Sequence, residues 1–165
     1  MLDNCIDIRE RWNAVESMLQ VWLKERREIL ITYTAIASLM ENEPTLDSSR
    51  DNTEPQDNLQ RLCEVLVDYV SAGHFEVFYE LIREAEAIGD GSDKLATSII
   101  PQIIDTTEVI LGFDEKYPLP AGEPVAYTTD LSLLGEILER RFELEDRLIV
   151  GLHRAHAVLV GQQGV

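Results

Sequence analysis

Apolar residues recur every three or four positions over most of this chain, and no segment alternates apolar and polar residues as a half-buried strand does. Steps of three and four place side chains on one face of a helix, and such an apolar face has to pack against the apolar face of another element. Four segments show the pattern: residues 3–41, 57–88, 92–113 and 129–160. Joined by turns and moderate loops, they predict an all-α fold, an elongated antiparallel four-helix bundle.

Two residues interrupt the periodic segments. Gly73 lies inside the second segment, where a glycine costs roughly 1 kcal/mol relative to alanine. Pro101 lies inside the third and predicts a kink or a late start of the regular helix. The acidic stretch 41–57 and the proline-rich stretch 115–127 are typical of loops. A length of 165 residues predicts a single domain, 1–165.

The charge balance narrows the class of partner. Fourteen basic and thirty-one acidic residues give a formal charge of −17, which repels phosphate backbones and argues against direct nucleic-acid binding. The same field attracts a basic protein surface. No apolar stretch of about 18 residues predicts a membrane span, and the first residues lack the pattern of a signal peptide. With only Cys5 and Cys63, we expect a cytoplasmic protein.

Two charged residues fall on apolar stripes. Arg26 lies between Trp22 and Leu30 in the first segment, and Glu145 lies between Phe142 and Ile149 in the fourth. Buried charges need partners to offset the loss of hydration. We therefore expect Arg26 and Glu145 to form a structural buried pair that fixes the register of their helices.

Two chemical alternatives remain open. A metal site in the bundle would draw on His74, Glu145, His153 and His156, but Glu145 and His156 are about 16 Å apart along a helix. Repeated Glu-x-x-His pairs, as in di-iron bundles, do not occur. His74 could instead accept a phosphoryl group, although no basic residue follows it closely. Without a P-loop or a catalytic triad, we expect no enzyme, no metal and no cofactor.

One polar face near Gly73 has the composition of a binding site. Asp68, Ser71 and Phe75 are spaced i, i+3 and i+7, so they share one side of the helix. The small residues 71–73 thin that helix. This thinning predicts a depression with three aromatic side chains raised around it: Tyr69, Phe75 and Phe78. A recessed aromatic patch beside acids is suited to a basic helix.

The strings around this face resemble a known family. The segments VDYVSAGHFEV (67–77) and RFELEDRLI (141–149) are similar to the signature of the Rsd/AlgQ family, regulators of sigma factor in gammaproteobacteria. The opening strings ERW (10–12) and VWLKER (21–26) match its first helix. The similarity extends over nearly the whole chain, while the two loop stretches differ from the family.

The resemblance implies an all-helical anti-sigma factor. It implies binding to the primary (housekeeping) sigma factor, mainly to its C-terminal region four, and a shift of polymerase toward alternative sigma factors in stationary phase. Asp68, Ser71 and Phe75 match positions implicated in sigma binding, and His74 and Tyr69 belong to the same string. Relatives have also been tied to alginate and virulence control, and some engage phosphocarrier or alarmone-metabolism proteins.

Overall fold

A computed structural model describes residues 7–41, 54–117 and 127–161 of the chain. These ranges contain helices and turns, and no strand. The elements, in chain order, are α1 (Ile8–Glu41), α2 (Glu54–Ala72), a five-residue π turn (Gly73–Val77), α3 (Phe78–Ile88), α4 (Lys94–Lys116), α5 (Tyr127–Leu152) and a short 3₁₀ turn (Arg154–His156). The predicted all-α class is confirmed.

Contacts between helices show an antiparallel order. Trp12 near the start of α1 contacts His153 just beyond α5, whereas Tyr33 near the end of α1 bonds to the carbonyl of Leu131 at the start of α5. α2, the π turn and α3 follow one another without a break and pack together against α1. We therefore count them as one arm of the bundle, and α1, α4 and α5 as the other three arms. The bundle therefore has four arms, and α1 with its 34 residues is about 50 Å long.

The apolar stripes of the sequence meet in one hydrophobic core. From α1 it takes Val15, Leu19, Trp22, Ile29 and Ile36, and these are joined by Leu66, Leu81, Ile99, Ile103, Ile110, Leu138 and Leu148 from the other arms. Side chains of this kind contribute roughly 1.5–3 kcal/mol each when they are fully buried. Burial of the stripes thus fixes how the arms face one another.

Several predicted boundaries shift in the structure. α2 begins at Glu54 rather than Asp57. Pro55 lies in its first turn, where backbone N–H groups have no acceptor within the helix, so the N–H that proline lacks is not needed there. α4 runs through Pro101 and extends to Lys116, so it does not start late. Of the predicted loops, residues 42–53 and 118–126 lie outside the described residues.

The predicted last segment is too long. α5 ends at Leu152, because His153 leaves the helical region with φ −129° and ψ −66°. Leu159, which lies within the predicted helical segment 129–160, is consequently outside α5 and 69% exposed. None of the described helices combines the length and apolar composition needed to cross a membrane.

Candidate functional site

The π turn marks the centre of the candidate site. Within it, the backbone N–H of Phe78 donates to the carbonyl of Gly73, five residues earlier rather than four. Gly73 faces the core: a Cβ built on it would lie 2.9 Å from Cζ2 of Trp22 and 3.3 Å from Cζ of Phe78. Glycine is required at this position by close packing, which explains its presence inside a long helical arm.

The outer side of this turn carries five exposed residues that we call the π-turn surface: Asp68, Ser71, His74, Phe75 and Glu76. Phe75 is 79% exposed, more than any other large hydrophobic residue of the described ranges. The His74 ring meets it edge-on at 5.0 Å between centroids. The structure thus brings Asp68, Ser71, His74 and Phe75 together on one accessible surface.

Tyr69 and Phe78 do not belong to this surface, contrary to the expectation from sequence. Tyr69 is fully buried and stacks on Trp22 at 4.6 Å, and Phe78 meets the edge of the same indole at 5.7 Å. The predicted surface depression is also wrong, because the side of Gly73 on which a Cβ would lie faces the core and not the solvent. Tyr69 follows Leu62 and Leu66 in steps of four and three, so its burial is that of a regular α2 stripe, and Phe78 is the first residue after the π turn.

The π-turn surface is acidic. Glu25 of α1 lies beside it, and burial together with the neighbouring Asp68 and Glu76 carboxylates raises the pKa of its carboxyl group. Its Oε2 is buried and has no hydrogen-bond partner among the residues that the structure describes. Like charges that raise one another's energy favour contact with a positively charged partner.

Beneath this surface the structure brings Arg26 and Glu145 together, with Nη2 and Oε2 3.0 Å apart. The pair is part of a larger network. Tyr69 donates its hydroxyl to Glu145 at 2.5 Å and accepts from Nε of Arg26 at 3.1 Å. Arg26 also reaches the exposed Asp146 at 2.6 Å. The network links α1, α2 and α5 at the level of the π turn.

Arg141 is the buried cation that the sequence reasoning missed. It is fully buried, and its Nε donates to Oε1 of Glu145 at 2.7 Å. Its Nη1 donates to the hydroxyls of Thr106 and Thr107 on α4, at 3.1 and 2.7 Å. Steps of four and three along α5 place Arg141 on the inner stripe: Leu134, Leu138, Arg141, Glu145, Leu148 and Leu152. That spacing indicates from sequence alone that Arg141 is buried.

Burial and charge act in opposite directions on the groups of the network. Burial raises the pKa of Glu145, while Arg141, Tyr69 and Arg26 act to lower it. Burial and the Glu145 carboxylate raise the pKa of Tyr69 well above its usual value. Burial lowers the pKa of Arg26, but contacts with Tyr69, Asp146 and Glu145 raise it by more. Tyr69 therefore serves this network as a neutral hydroxyl.

Of the four residues of the metal hypothesis, His74 is exposed on the π-turn surface, and the other three are held by other partners. Glu145 is engaged by two guanidinium groups, as described above. The ring of His153 lies between Glu84 and Glu16, with each nitrogen 2.7 Å from a carboxylate oxygen. His156 Nε2 lies 2.9 Å from Asp90. Within the described ranges, no three His, Cys, Asp or Glu side chains are placed to share a metal ion.

Comparison with known proteins agrees with the resemblance seen in the sequence. Residues 1–153 match the family model described as "Regulator of RNA polymerase sigma(70) subunit, Rsd/AlgQ". A "Regulator of sigma D" of Yersinia pseudotuberculosis serotype O:1b (strain IP 31758) is 28% identical over 152 residues, which cover 90% of this chain and 87% of that protein. The "Regulator of sigma D" of Enterobacter sp. (strain 638) is 31% identical, covering 90% and 88%. The chain belongs to the Rsd/AlgQ family.

Proposed function

We propose that this protein is an anti-sigma factor that binds the primary sigma factor, mainly through region four. Bound in this way, sigma is kept from core polymerase and from the −35 promoter element, and polymerase shifts toward alternative sigma factors in stationary phase. Membership of a family described as regulators of the sigma(70) subunit supports this proposal. So do relatives that carry the name "Regulator of sigma D" over 90% of the chain.

The observation that carries the proposal is the exposure of Phe75 among acids. Phe75 is 79% exposed and shares the π-turn surface with Asp68 and Glu76, whose charges also act on Glu25, so the surface offers an apolar anchor in a negative environment. Exposed aromatic residues are frequent hot spots of protein interfaces. A basic amphipathic helix supplies both the apolar face and the positive charge that such a surface accepts.

The proposed mechanism is occlusion without chemistry. Sigma region four binds DNA through a basic helix-turn-helix, and a chain of charge −17 competes with DNA for that basic surface. Inhibition then follows the molar ratio of this protein to sigma, with no turnover and no cofactor. We place this activity in the cytoplasm and assign it to one domain, residues 1–165.

A titration with an isolated region-four fragment tests the proposed surface. Phe75→Ala should weaken binding by roughly 2 kcal/mol, about thirtyfold, because the partner loses its aromatic anchor. The melting temperature should stay near that of the native protein, since Phe75 packs little of its surface within the bundle. Leu133→Ala is the matched control, because Leu133 is 50% exposed on α5 and lies outside the π-turn surface.

Phe142→Ala gives the opposite result if the surface is correctly drawn. Phe142 is half-buried, meets Tyr69 edge-on at 5.9 Å and lies under the Arg26 guanidinium at 4.8 Å. Its loss should lower stability first. A Phe75→Ala protein that melts early, or that binds the fragment as tightly as Leu133→Ala does, would overturn the assignment.

A further inference from the structure

Trp22 of α1 fills the inner side of the π turn. Its indole stacks on Tyr69, one turn before Gly73, with the ring centroids 4.6 Å apart and the ring planes nearly parallel. It meets Phe78, the first residue after the turn, edge-on at 5.7 Å. It also occupies the space that a Cβ on Gly73 would need. One side chain therefore contacts the residues before, within and after the turn.

Trp22 is also hydrogen-bonded to the arm that it supports. Its Nε1–H donates to the backbone carbonyl of Tyr69 at 3.1 Å, in the last α-helical turn before the π turn. π turns are rare, occur mostly as single turns inside α-helices and are frequent at functional sites, so a persistent one needs support from its surroundings. The indole supplies that support by packing and by one directional bond.

The pattern of buried residues is consistent with a wide turn at this place. Gly73, Val77, Leu81 and Ala85 are all buried and follow one another in steps of four. In an ideal α-helix each such step rotates the stripe by about 40°, which adds up to roughly 120° over three steps. The π turn contains more residues per turn than an α-helix, so it cancels much of this rotation and keeps the four residues on one side. Its outer side exposes three consecutive side chains: His74, Phe75 and Glu76.

We infer that Trp22, together with Gly73, is a positioning residue for partner binding. It touches no partner, but it fixes the π turn and so sets the direction in which His74 and Phe75 face the partner. The inference rests on the proposed function, because it assumes that the π-turn surface binds sigma. It adds that the affinity of this surface depends on an indole buried beneath it.

The chain contains a matched control for Trp22. Trp12 also lies on α1, is also buried, stacks on a ring (His153, 4.4 Å) and donates Nε1–H to a backbone carbonyl at 3.0 Å. It lies ten residues away, about 15 Å along the helix. Trp22→Phe and Trp12→Phe thus remove the same kind of bond from the same helix, and only the first removes it from the π turn.

The first test compares the affinity of the two variants for the region-four fragment, well below both melting temperatures. We expect binding to weaken about tenfold in Trp22→Phe, equal to roughly 1.4 kcal/mol, and less than about twofold in Trp12→Phe. Equal affinities would overturn the inference. If both variants bind normally and Phe75→Ala also binds normally, the proposed surface itself is wrong, so the two failures are distinguishable.

Fluorescence adds a readout that a merely structural role would not change. In Trp12→Phe the only remaining indole is Trp22, and its emission should shift when a tryptophan-free region-four fragment saturates the protein. In Trp22→Phe the remaining Trp12 should not respond. A response of Trp12 alone, or no response of Trp22 at saturation, would contradict the coupling of Trp22 to the surface.

A glycine substitution tests the same contact if Trp22→Phe does not fold. Gly73→Ala forces the indole or the turn to move, because the added Cβ would lie 2.9 Å from Cζ2 of Trp22. Gly112→Ala on α4 is its control, since a Cβ there meets nothing within 4 Å. We expect Gly73→Ala to bind the region-four fragment more weakly than the native protein, and Gly112→Ala to bind it normally. Native affinity in a folded Gly73→Ala protein would refute the positioning role.

Discussion

Removing the Glu145 carboxylate should destabilise the bundle strongly. Glu145 is fully buried, and its Oε1 accepts a hydrogen bond from Nε of Arg141, which is also fully buried. Among the described residues, the Arg141 guanidinium of Glu145→Ala keeps only neutral oxygens of α4 as partners, whereas Arg26 retains Asp146 at 2.6 Å. Breaking a buried pair by deleting one partner costs about 3–5 kcal/mol. The stranded charge is Arg141, and not Arg26 as the sequence alone suggests.

The assay is thermal and urea unfolding of Glu145→Ala beside Glu143→Ala. For a chain of this size each kcal/mol lowers the melting temperature by about 2–4 °C, so Glu145→Ala should melt roughly 6–20 °C early. Glu143 is exposed on the same helix, two residues away, and its replacement should change stability by no more than about 0.5 kcal/mol. Melting temperatures that agree within about 2 °C would refute the reasoning, because they would mean that Arg141 needs no buried anion.

Two further predictions concern solution conditions. Affinity for the region-four fragment should fall steeply as salt rises from about 0.05 M to about 0.5 M, because screening weakens attraction between exposed charges; an affinity independent of salt would mean that charge does not drive the encounter. Contacts with Ser92 and His156 lower the pKa of Asp90 to about 2, so its contribution to stability is present above pH 3.8 and is lost as the pH falls toward 2. The difference in melting temperature between the native protein and Asp90→Asn should therefore shrink over that range, and a constant difference down to pH 2 would contradict the pairing.

The helices of the bundle could be predicted from sequence because the apolar periodicity that marks a helix lies within a short segment of the chain. Stripes with steps of three and four identify which residues of α1 are buried, including Leu19, Trp22 and Ile29. The end of α5 could not be found in this way. His153 leaves the helix where its ring is fixed between Glu84 and Glu16, residues that are 69 and 137 positions away. Contacts at that separation leave no local pattern.

The candidate site was predictable in part. The spacing of Asp68, Ser71 and Phe75 indicates a shared outer face, and the structure places all three there. Tyr69 lies on the buried stripe of α2 with Leu62 and Leu66, in steps of four and three, so its inward position is available from the helical period, whereas the π turn after it departs from a constant period. Arg141 was missed for a different reason: its charge suggests the surface, although its position on the α5 stripe indicates the core.

The most direct test of the central claim is transcription in vitro from a −35-dependent promoter, with this protein titrated against a fixed amount of primary sigma before core polymerase is added. Occlusion predicts that transcription falls in proportion to the molar ratio of protein to sigma, that extra sigma restores it, and that Phe75→Ala shifts the titration to higher concentration while Leu133→Ala does not. Transcription unaffected by a molar excess of the native protein, or inhibition at ratios far below one that added sigma does not relieve, would contradict the account.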